Sequence, residues 1–540
     1  MQHDAVDALI AYHDRTKHHP ERYARGPGGL DWANQPDPFR RYTGSPVFKL
    51  PLVGQDDTPA SGVLFGTESL SPRQLTLGSV GLFFELSLGL SARKEIAGSG
   101  WYLRMNPSSG NLHPTEAYAV LPALAGLSGG PGVYHYAPLH HALEQRARWA
   151  APTETDDSGF WVGLTSIPWR EAWKYGERAF RYCQHDVGHA LAALRFAAAV
   201  LGWRVRLLPE RGDAELAQLL GLDRAEDFGD AEREIPGLLA RVIVMEAPGQ
   251  AAVPPAATAP VEWFGRANAL SPSHVEWPAI DEAISQSQRI AVCADPVEPV
   301  NPTSGLPPAP PRCDRSSGQL IRQRRSAVDF DGVTSISRET FLAVLDTTLP
   351  RPAAPPFDAW PFSPRLNLVL FVHRVTDLEP GLYLWLRAPG DMENLQGSFR
   401  AGFEWESQSS LDVPLVRLGR DDLRSFARTL SCHQDIAADG AFSLGMLGRF
   451  EPILREWGAT AYRELFWEAG MIGQSLYLAA EAAGVRGTGI GCYFDDVLHR
   501  TLGLAGHEWQ SLYHFTIGGP VEDPRLRTTA PYAHLDRDAH

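Results

Sequence analysis

The sequence predicts a protein of mixed helix and strand in which one domain occurs twice, a covalent pseudo-dimer. Three observations carry this. The chain has 540 residues, too many for one ordinary core and enough for two domains of roughly 200 residues or more. Residues 174–203, KYGERAFRYCQHDVGHALAALRFAAAVLGW, align with residues 456–485, EWGATAYRELFWEAGMIGQSLYLAAEAAGV, at a constant offset of 282. Gly176 then falls on Gly458, Arg181 on Arg463, Asp186 on Glu468, Gly188 on Gly470 and Gly202 on Gly484. Both runs have apolar residues at helical spacing and end on a glycine suited to a left-handed cap. Finally, GPGVYHY, ending at Tyr136, matches EPGLYLW, ending at Trp385, each a Pro-Gly turn feeding a strand. Two matched elements in the same order, each anchored by glycine, point to duplication and so to an intramolecular version of a two-fold interface.

Proline-rich stretches lie between the halves, APGQAAVPPAATAP from Ala247 and ADPVEPVNPTSGLPPAPPR from Ala294. Proline stiffens extended chain and removes donors, so both read as linker. The expected division is a first domain over 1–246, a linker region over 247–312 with a partly helical insert, and a second domain over 313–540. With 44% hydrophobic and 21% charged residues the chain is an ordinary globular one. Its net charge of −15 argues against non-specific nucleic-acid binding. The N-terminus lacks the apolar core of a signal peptide, and no stretch approaches the roughly 18 to 20 apolar residues of a spanning helix, so a soluble, cytoplasmic protein is expected. Cys183, Cys293, Cys313, Cys432 and Cys492 are scattered with no CxxC spacing, which predicts neither a disulfide framework nor a zinc site.

Polar motifs come next, in chain order. RMNPSSGNLHPTEAYAV, from Arg104, sets a rigid polar loop before an apolar strand-like run, Ala117 to Val120. Lys174 and Tyr175 offer a base, if burial lowers the lysine pKa, and a phenol that can relay a proton; they also fit a helix-start lysine and a packing tyrosine. His185 and His189 lie four apart on one helix face, with His113 elsewhere, but no HExxH or third ligand accompanies them and no metal is predicted. IRQRRSAVDFDG, from Ile321, puts Arg324, Arg325 and Ser326 at the end of a predicted helix. The triplet suits a phosphate through charge-assisted bonds, and equally a solvated basic helix end. GVRGTGIG, from Gly484, reads as a loop between helix and strand whose glycines bare the backbone to a flat or anionic ligand, or merely make a turn. In TIGGPVEDPRLRTTAPY, Arg525 and Arg527 share one face of extended chain and would reach one anion, or belong to a basic tail.

Together these pieces resemble the flavin-dependent nitroreductase superfamily, specifically its SagB-type branch of azoline dehydrogenases, over most of the chain and in two copies. The resemblance implies an α+β, nitroreductase-like fold, two fused copies forming an intramolecular pseudo-dimer. Each copy would be an antiparallel-rich sheet flanked by helices, with long helices between the halves. It implies FMN as cofactor, its phosphate on Arg324, Arg325 and Ser326 with Arg525 and Arg527 assisting. Gly489, Ile490 and Gly491 would lie against the isoalloxazine ring, and Pro107, Ser108, Ser109 and Asn111 would close over it from the other half. Lys174 and Tyr175 match a pair that azoline dehydrogenases use near the flavin.

The halves depart from the family pattern in opposite ways. The first keeps NPSSGN, but reads WRVRLLPE where the glycine loop belongs and offers only Arg15, Thr16 and Lys17 as a phosphate triplet. The second keeps the triplet and the glycines, but reads WPFSPR, with Phe362 and Arg365, in place of NPSSGN. One composite flavin site is therefore expected. The implied activity is an FMN-dependent oxidoreductase of the SagB dehydrogenase type, acting on a peptide-derived or small heterocyclic substrate, with peptide-modifying enzymes as partners. Two other classes use the same pieces. One is NAD(P)H-dependent reduction of nitroaromatics or quinones, with NAD(P)H as co-substrate and no need of the Lys-Tyr pair. The other is a non-catalytic scaffold within a peptide-modifying complex.

Overall fold

Two sheets of identical strand order form the core of the computed structural model, which describes residues 2–53, 57–149, 158–246, 262–290, 308–408 and 413–535. The first sheet contains β1 (Thr115–Leu121), β2 (Gly132–Ala137), β3 (Ala142–Arg148), β4 (Gly159–Ser166), β5 (Arg204–Leu207) and β6 (Ile235–Ile243), in the order β3-β2-β1-β4-β6-β5. The second contains β7 (Leu366–Val372), β8 (Gly381–Trp385), β9 (Leu415–Arg420), β10 (Phe442–Arg449), β11 (Arg486–Ile490) and β12 (Trp509–Gly518), in the order β9-β8-β7-β10-β12-β11. Every one of these pairings is antiparallel. The repeat extends to single bonds: Tyr134 of β2 and Tyr383 of β8 each donate a hydroxyl hydrogen bond to the carbonyl four residues earlier, Gly130 at 2.5 Å and Glu379 at 2.8 Å.

Six helices bear on the meeting of the two halves: α1 (Gln2–Arg15), α2 (Pro168–Tyr175), α3 (Ala179–Val200), α4 (Ser317–Gln323), α5 (Phe450–Trp457) and α6 (Ala461–Ala482). The aligned segments are each broken near their start: α2 ends at Gly176 (φ 55°) and α5 at Gly458 (φ 83°), both left-handed. Lys174 and Tyr175 thus sit at a helix C-terminus, not at a helix start. Gly202 (φ 72°) and Gly484 (φ 76°) follow the ends of α3 and α6 as left-handed caps. The fully buried α3 and α6 cross between the sheets. A Cβ on Gly188 would stand 2.1 Å from the Trp467 carbonyl oxygen, and one on Gly470 2.2 Å from that of His185 and 2.9 Å from Gly188 Cα. The matched glycines meet each other, where only hydrogen fits.

Two crossings tie the chain further. Arg527–Thr529, after the second sheet, pairs with Leu90–Ile96 of a first-half hairpin completed by Ser99–Arg104. Glu262–Trp263 extends the first sheet at β3, and Arg266–Ala267 pairs with Tyr42–Thr43, while Arg289 ion-pairs with Glu464 and the Ala309 N–H donates to Asp346, so the described part of the expected linker touches both halves. Residues 247–261 and 291–307, the proline-rich stretches, lie outside the described residues. Among the described residues no helix is long and apolar enough to cross a membrane.

Candidate active site

A cavity of about 450 Å³ opens where the halves meet, within the size range of small-molecule sites. Its first-half wall is the loop from Asn106 to His113, with Tyr175, Tyr182 and Asp186; its second-half wall is Arg324 to Ser326, Tyr477 and Thr488 to Cys492.

One end is cationic. The Ser316 hydroxyl accepts the Gln319 N–H in a capping box that starts α4, and the chain leaves the helix at Arg324. The Arg324 guanidinium crosses to the first half, donating to the carbonyls of Met105 and Arg104 at 3.1 Å each. Its Nη1 is buried with no partner, and it lies 5.1 Å from the Tyr477 ring centroid. Arg325 donates to the carbonyls of Arg322, Arg324 and Ser91. Burial holds Arg324 below the ordinary guanidinium range and Arg325 down to about 10. Lys94, from the first-half hairpin, lines the same end and is also lowered by burial. Among the described residues neither Arg324 nor Arg325 makes an ion pair. The nearby Glu481 carboxylate accepts the Arg325 backbone N–H but neither guanidinium, and a buried guanidinium with an unpartnered nitrogen suits an anionic group.

The glycine wall is an edge strand, β11, not the expected loop. Gly487 and Gly489 face aromatic side chains of β12: a Cβ at Gly487 would stand 2.6 Å from the Phe515 ring, and one at Gly489 would run into the Tyr513 hydroxyl. Past the strand, a Cβ on Gly491 would stand 2.6 Å from the Tyr182 ring. Glycine at alternating positions here accommodates rings, a period-two pattern that imitates turn chemistry in sequence. Tyr477 organises this wall: its hydroxyl accepts the Gly489 N–H at 2.9 Å and shares a hydrogen bond with Ser326 Oγ at 2.9 Å.

The opposite loop is held from within. Ser108 Oγ accepts the His113 N–H, Asn111 donates to the Tyr102 carbonyl and contacts His113 Nε2, and Asp186 Oδ1 of α3 accepts the Ser109 N–H. Pro107 and Asn111 line the cavity beside the serines. A Cβ at Gly110 would stand 2.6 Å from the Tyr175 hydroxyl and 3.2 Å from Lys174 Nζ, so bare backbone lets both approach the loop.

Behind that loop lie two carboxyls. Glu171 of α2 has both oxygens buried without a well-formed hydrogen bond, as has Asp186 Oδ2. Burial raises both pKa values, and the Asp186 charge adds to the effect on Glu171. Burial likewise raises the Tyr175 phenol. Lys174, Tyr175, Glu171 and Asp186 thus gather behind the loop, and of these Tyr175 and Asp186 line the cavity. Sequence reasoning missed Glu171, Tyr477 and Lys94; Asp186 left a signal, as the polar residue aligned with Glu468.

Of the other sequence-derived residues, Arg525 and Arg527 sit elsewhere, while His189 lines the cavity. Arg525 is exposed and ion-pairs with Asp523 at 2.8 Å, and Arg527 is exposed on its short strand; neither lines the cavity. The reason is local: Asp523 Oδ1 accepts the Arg525 N–H, turning the chain where extended structure was expected. His185 stacks on Tyr513 at 4.2 Å and donates toward the Leu512 carbonyl, while His189 meets the Tyr513 hydroxyl. Among the described residues no three His, Cys, Asp or Glu side chains converge as a metal site.

The counterpart residues that the sequence offered are committed to partners within the protein. Arg15 pairs with Glu177 at 2.6 Å, Thr16 Oγ1 donates to the Tyr12 carbonyl, and Lys17 pairs with Asp14 and Asp496 at 3.0 Å each. Arg365 bonds Glu464 at 2.7 Å and lies over Phe362. Glu468, the counterpart of Asp186, accepts the Arg365 N–H and pairs with Arg387 at 2.5 Å.

Residues 321–519 match the model of the Nitroreductase family. A crystal structure of a candidate nitroreductase from Anabaena variabilis is similar at 23% identity and TM-score 0.68, covering 95% of this chain and 99% of that one. Its likeness spans both halves and shows a nitroreductase-like fold. A second candidate nitroreductase, from Ralstonia eutropha, is 16% identical over 40% of this chain and 95% of its own, at TM-score 0.27. The E. coli microcin synthetase McbBCD complex with truncated pro-MccB17 is 17% identical over 46% of this chain and 95% of that one, also at 0.27. No curated protein matches the sequence.

Proposed function

We propose that the protein is an FMN-dependent oxidoreductase of the SagB dehydrogenase type, with one flavin site per chain assembled from both halves. The observation that carries this reading is the pair of guanidiniums lining the cavity, Arg324 buried and Arg325 half-buried, neither in an ion pair among the described residues and with Arg324 Nη1 unpartnered. A flavin phosphate supplies the missing anion. The residues fit the group: Arg324, Arg325, Ser326 and Lys94 would hold the phosphate, the Gly489–Gly491 backbone would flank the ring, and Pro107 to Asn111 would cover it. When bound, FMN supplies two-electron hydride chemistry; orientation, exclusion of water and proton handling fall to the protein.

Lys174 and Tyr175 take the proton work, with Lys174 Nζ and the Tyr175 hydroxyl close to Gly110 and Tyr175 lining the cavity. Glu171 and Asp186 sit behind them, where burial favours their neutral forms and makes them proton reservoirs. A peptide-derived or small heterocyclic substrate fits a site that pairs a flavin face with a base. The commitment of Arg15, Lys17 and Arg365 to protein partners supports one flavin, not two. Purified protein, denatured and assayed for released flavin against chain concentration, is expected to give a ratio near one. A ratio near two overturns the composite site, and a protein that takes up no FMN overturns the function. Rapid bleaching of bound flavin by NAD(P)H without need of Lys174 would favour nitro or quinone reduction instead.

A further inference from the structure

Cys432 and Cys492 are 60 residues apart in sequence, yet their sulfurs lie 2.7 Å from each other. Cys492 lies two residues past the end of β11 and lines the cavity beside Gly491. Cys432 sits after the helix Arg424–Leu430, in a turn where it and His433 both adopt left-handed backbone (φ 53° and 61°). Two consecutive non-glycine residues in that region are costly, and such strain persists only where surrounding structure fixes it. Here it is fixed from both sides. The Gln434 amide donates to the Cys492 carbonyl at 3.1 Å and the Ser431 carbonyl at 2.8 Å, and the Phe494 N–H donates to the Leu430 carbonyl at 2.8 Å. Both sulfur-bearing residues remain partly exposed, whereas Cys183 is fully buried.

The surroundings make the two thiols unequal. His18, from the first half, accepts the Ala24 N–H on Nδ1 at 2.9 Å, which leaves its protonated nitrogen for the Cys492 side chain. Arg178 donates to the Gly491 carbonyl at 3.1 Å, bringing a guanidinium close to Cys492. The hydrogen bond from Cys432, and then those from His18 and the Arg178 charge, hold the Cys492 thiol below its ordinary range, while Cys432 is raised by the same bond and by burial. A thiolate that is accessible and flanked by donors is the attacking member of a pair; its protonated neighbour resolves the product.

We infer that Cys432 and Cys492 are a redox-active dithiol at the cavity rim that reduces low-molecular-weight disulfides, independently of any flavin. The Cys492 sulfur attacks one sulfur of the disulfide RSSR; that S–S bond breaks, one RSH leaves with a proton from solvent, and Cys492 carries a mixed disulfide. Cys432 then attacks the Cys492 sulfur, its proton passing to the second departing RSH. One disulfide is reduced to two thiols, and the cysteine pair is oxidised to a disulfide that bridges the turn at Cys432 to the segment after β11.

The test uses the full chain and oxidised glutathione. After exposure, acid quenching and alkylation, intact mass and peptide mapping should show loss of two alkylation sites, both in this pair, restored by a reductant. Cys432→Ser should instead accumulate glutathione on Cys492, at a rate close to wild type. Cys492→Ser should react at least about tenfold more slowly near neutral pH, because the remaining thiol is the protonated one. Full alkylation of both cysteines after oxidised glutathione, or a Cys432→Ser chain with no adduct on Cys492, overturns the proposal. Oxidation mapped to other cysteines overturns it as well.

Discussion

Replacing Arg324 by alanine probes the anion end of the cavity, and its consequences divide into two measurable parts. The first is ligand binding. A charge-assisted hydrogen bond to phosphate contributes about 1.5–3 kcal/mol, which is roughly ten- to 150-fold in affinity. Arg324 has an unpartnered, buried Nη1 to offer, so the loss should fall in that range. The second part is damage to the apo protein, because the guanidinium also donates to the Met105 carbonyl, whereas the Arg104 carbonyl keeps the Ser91 hydroxyl. A buried acceptor left unpaired costs about 1–3 kcal/mol, so the variant should melt earlier as well. Comparing FMN with riboflavin separates the two parts. Both flavins experience the same scaffold damage, but only FMN carries the phosphate. Fluorescence titration should show wild type preferring FMN, and Arg324→Ala losing most of that preference. Arg15→Ala should leave it intact, since Arg15 is half-exposed and already paired with Glu177, and such surface pairs contribute about 0–1 kcal/mol. An undiminished preference in Arg324→Ala, or an equal loss in Arg15→Ala, refutes the assignment of the phosphate to this end.

Further expectations concern Lys174 and the buried carboxyls behind the loop. Burial raises the Asp186 carboxyl above its unfolded value, so its ionisation penalises the fold. That penalty is absent below the unfolded pKa of about 4 and grows as pH rises toward the folded value. Asp186→Asn should therefore raise the melting temperature at pH 8 and not at pH 4; thermal melts across that range decide it, and a gain equal at both ends rejects the reading. Lys174→Ala should keep its flavin and lower turnover by roughly 10² or more, the usual scale of general acid–base catalysis. Lys174→Arg should not rescue it, because a guanidinium stays protonated; unchanged turnover in either variant would leave the lysine a packing role.

Legibility in the sequence followed how directly a residue's type was forced by its neighbours. The helix repeat was readable because its glycines are obligatory: Gly188 and Gly470 meet backbone to backbone, and Gly176, Gly202, Gly458 and Gly484 carry positive φ. The loop from Pro107 to Asn111 was readable from its density of turn-forming and polar types. The GTGIG segment was misread because glycines that make way for Phe515 and Tyr513 resemble glycines that make a turn, and the rings lie a strand away in β12. Arg525 was misread because one side-chain acceptor, Asp523, redirects the chain locally. Tyr477, Glu171 and Lys94 left no pattern, since an isolated polar residue in a helix or hairpin takes its meaning from what the other half places opposite it.

The matched pair Asp186 and Glu468 shows what fusing the halves permits. In a dimer of identical chains both copies of this carboxylate would share one environment. Here Glu468 is saturated by the Arg365 N–H and by Arg387, while Asp186 faces only the serines of the loop, accepts the Ser109 N–H on one oxygen and has no well-formed hydrogen bond on the other. A satisfied buried carboxylate rigidifies its surroundings, whereas a half-satisfied one holds a proton more readily and weakens the fold. The same division appears among the arginines: Arg365 is committed to Glu464, while Arg324 has no acidic partner among the described residues. On the proposed reading, the unsatisfied groups collect around the cavity that binds the flavin, and their costs are offset by the saturated network of their counterparts. Covalent linkage lets the two positions diverge in this way, because each substitution enters only one of them.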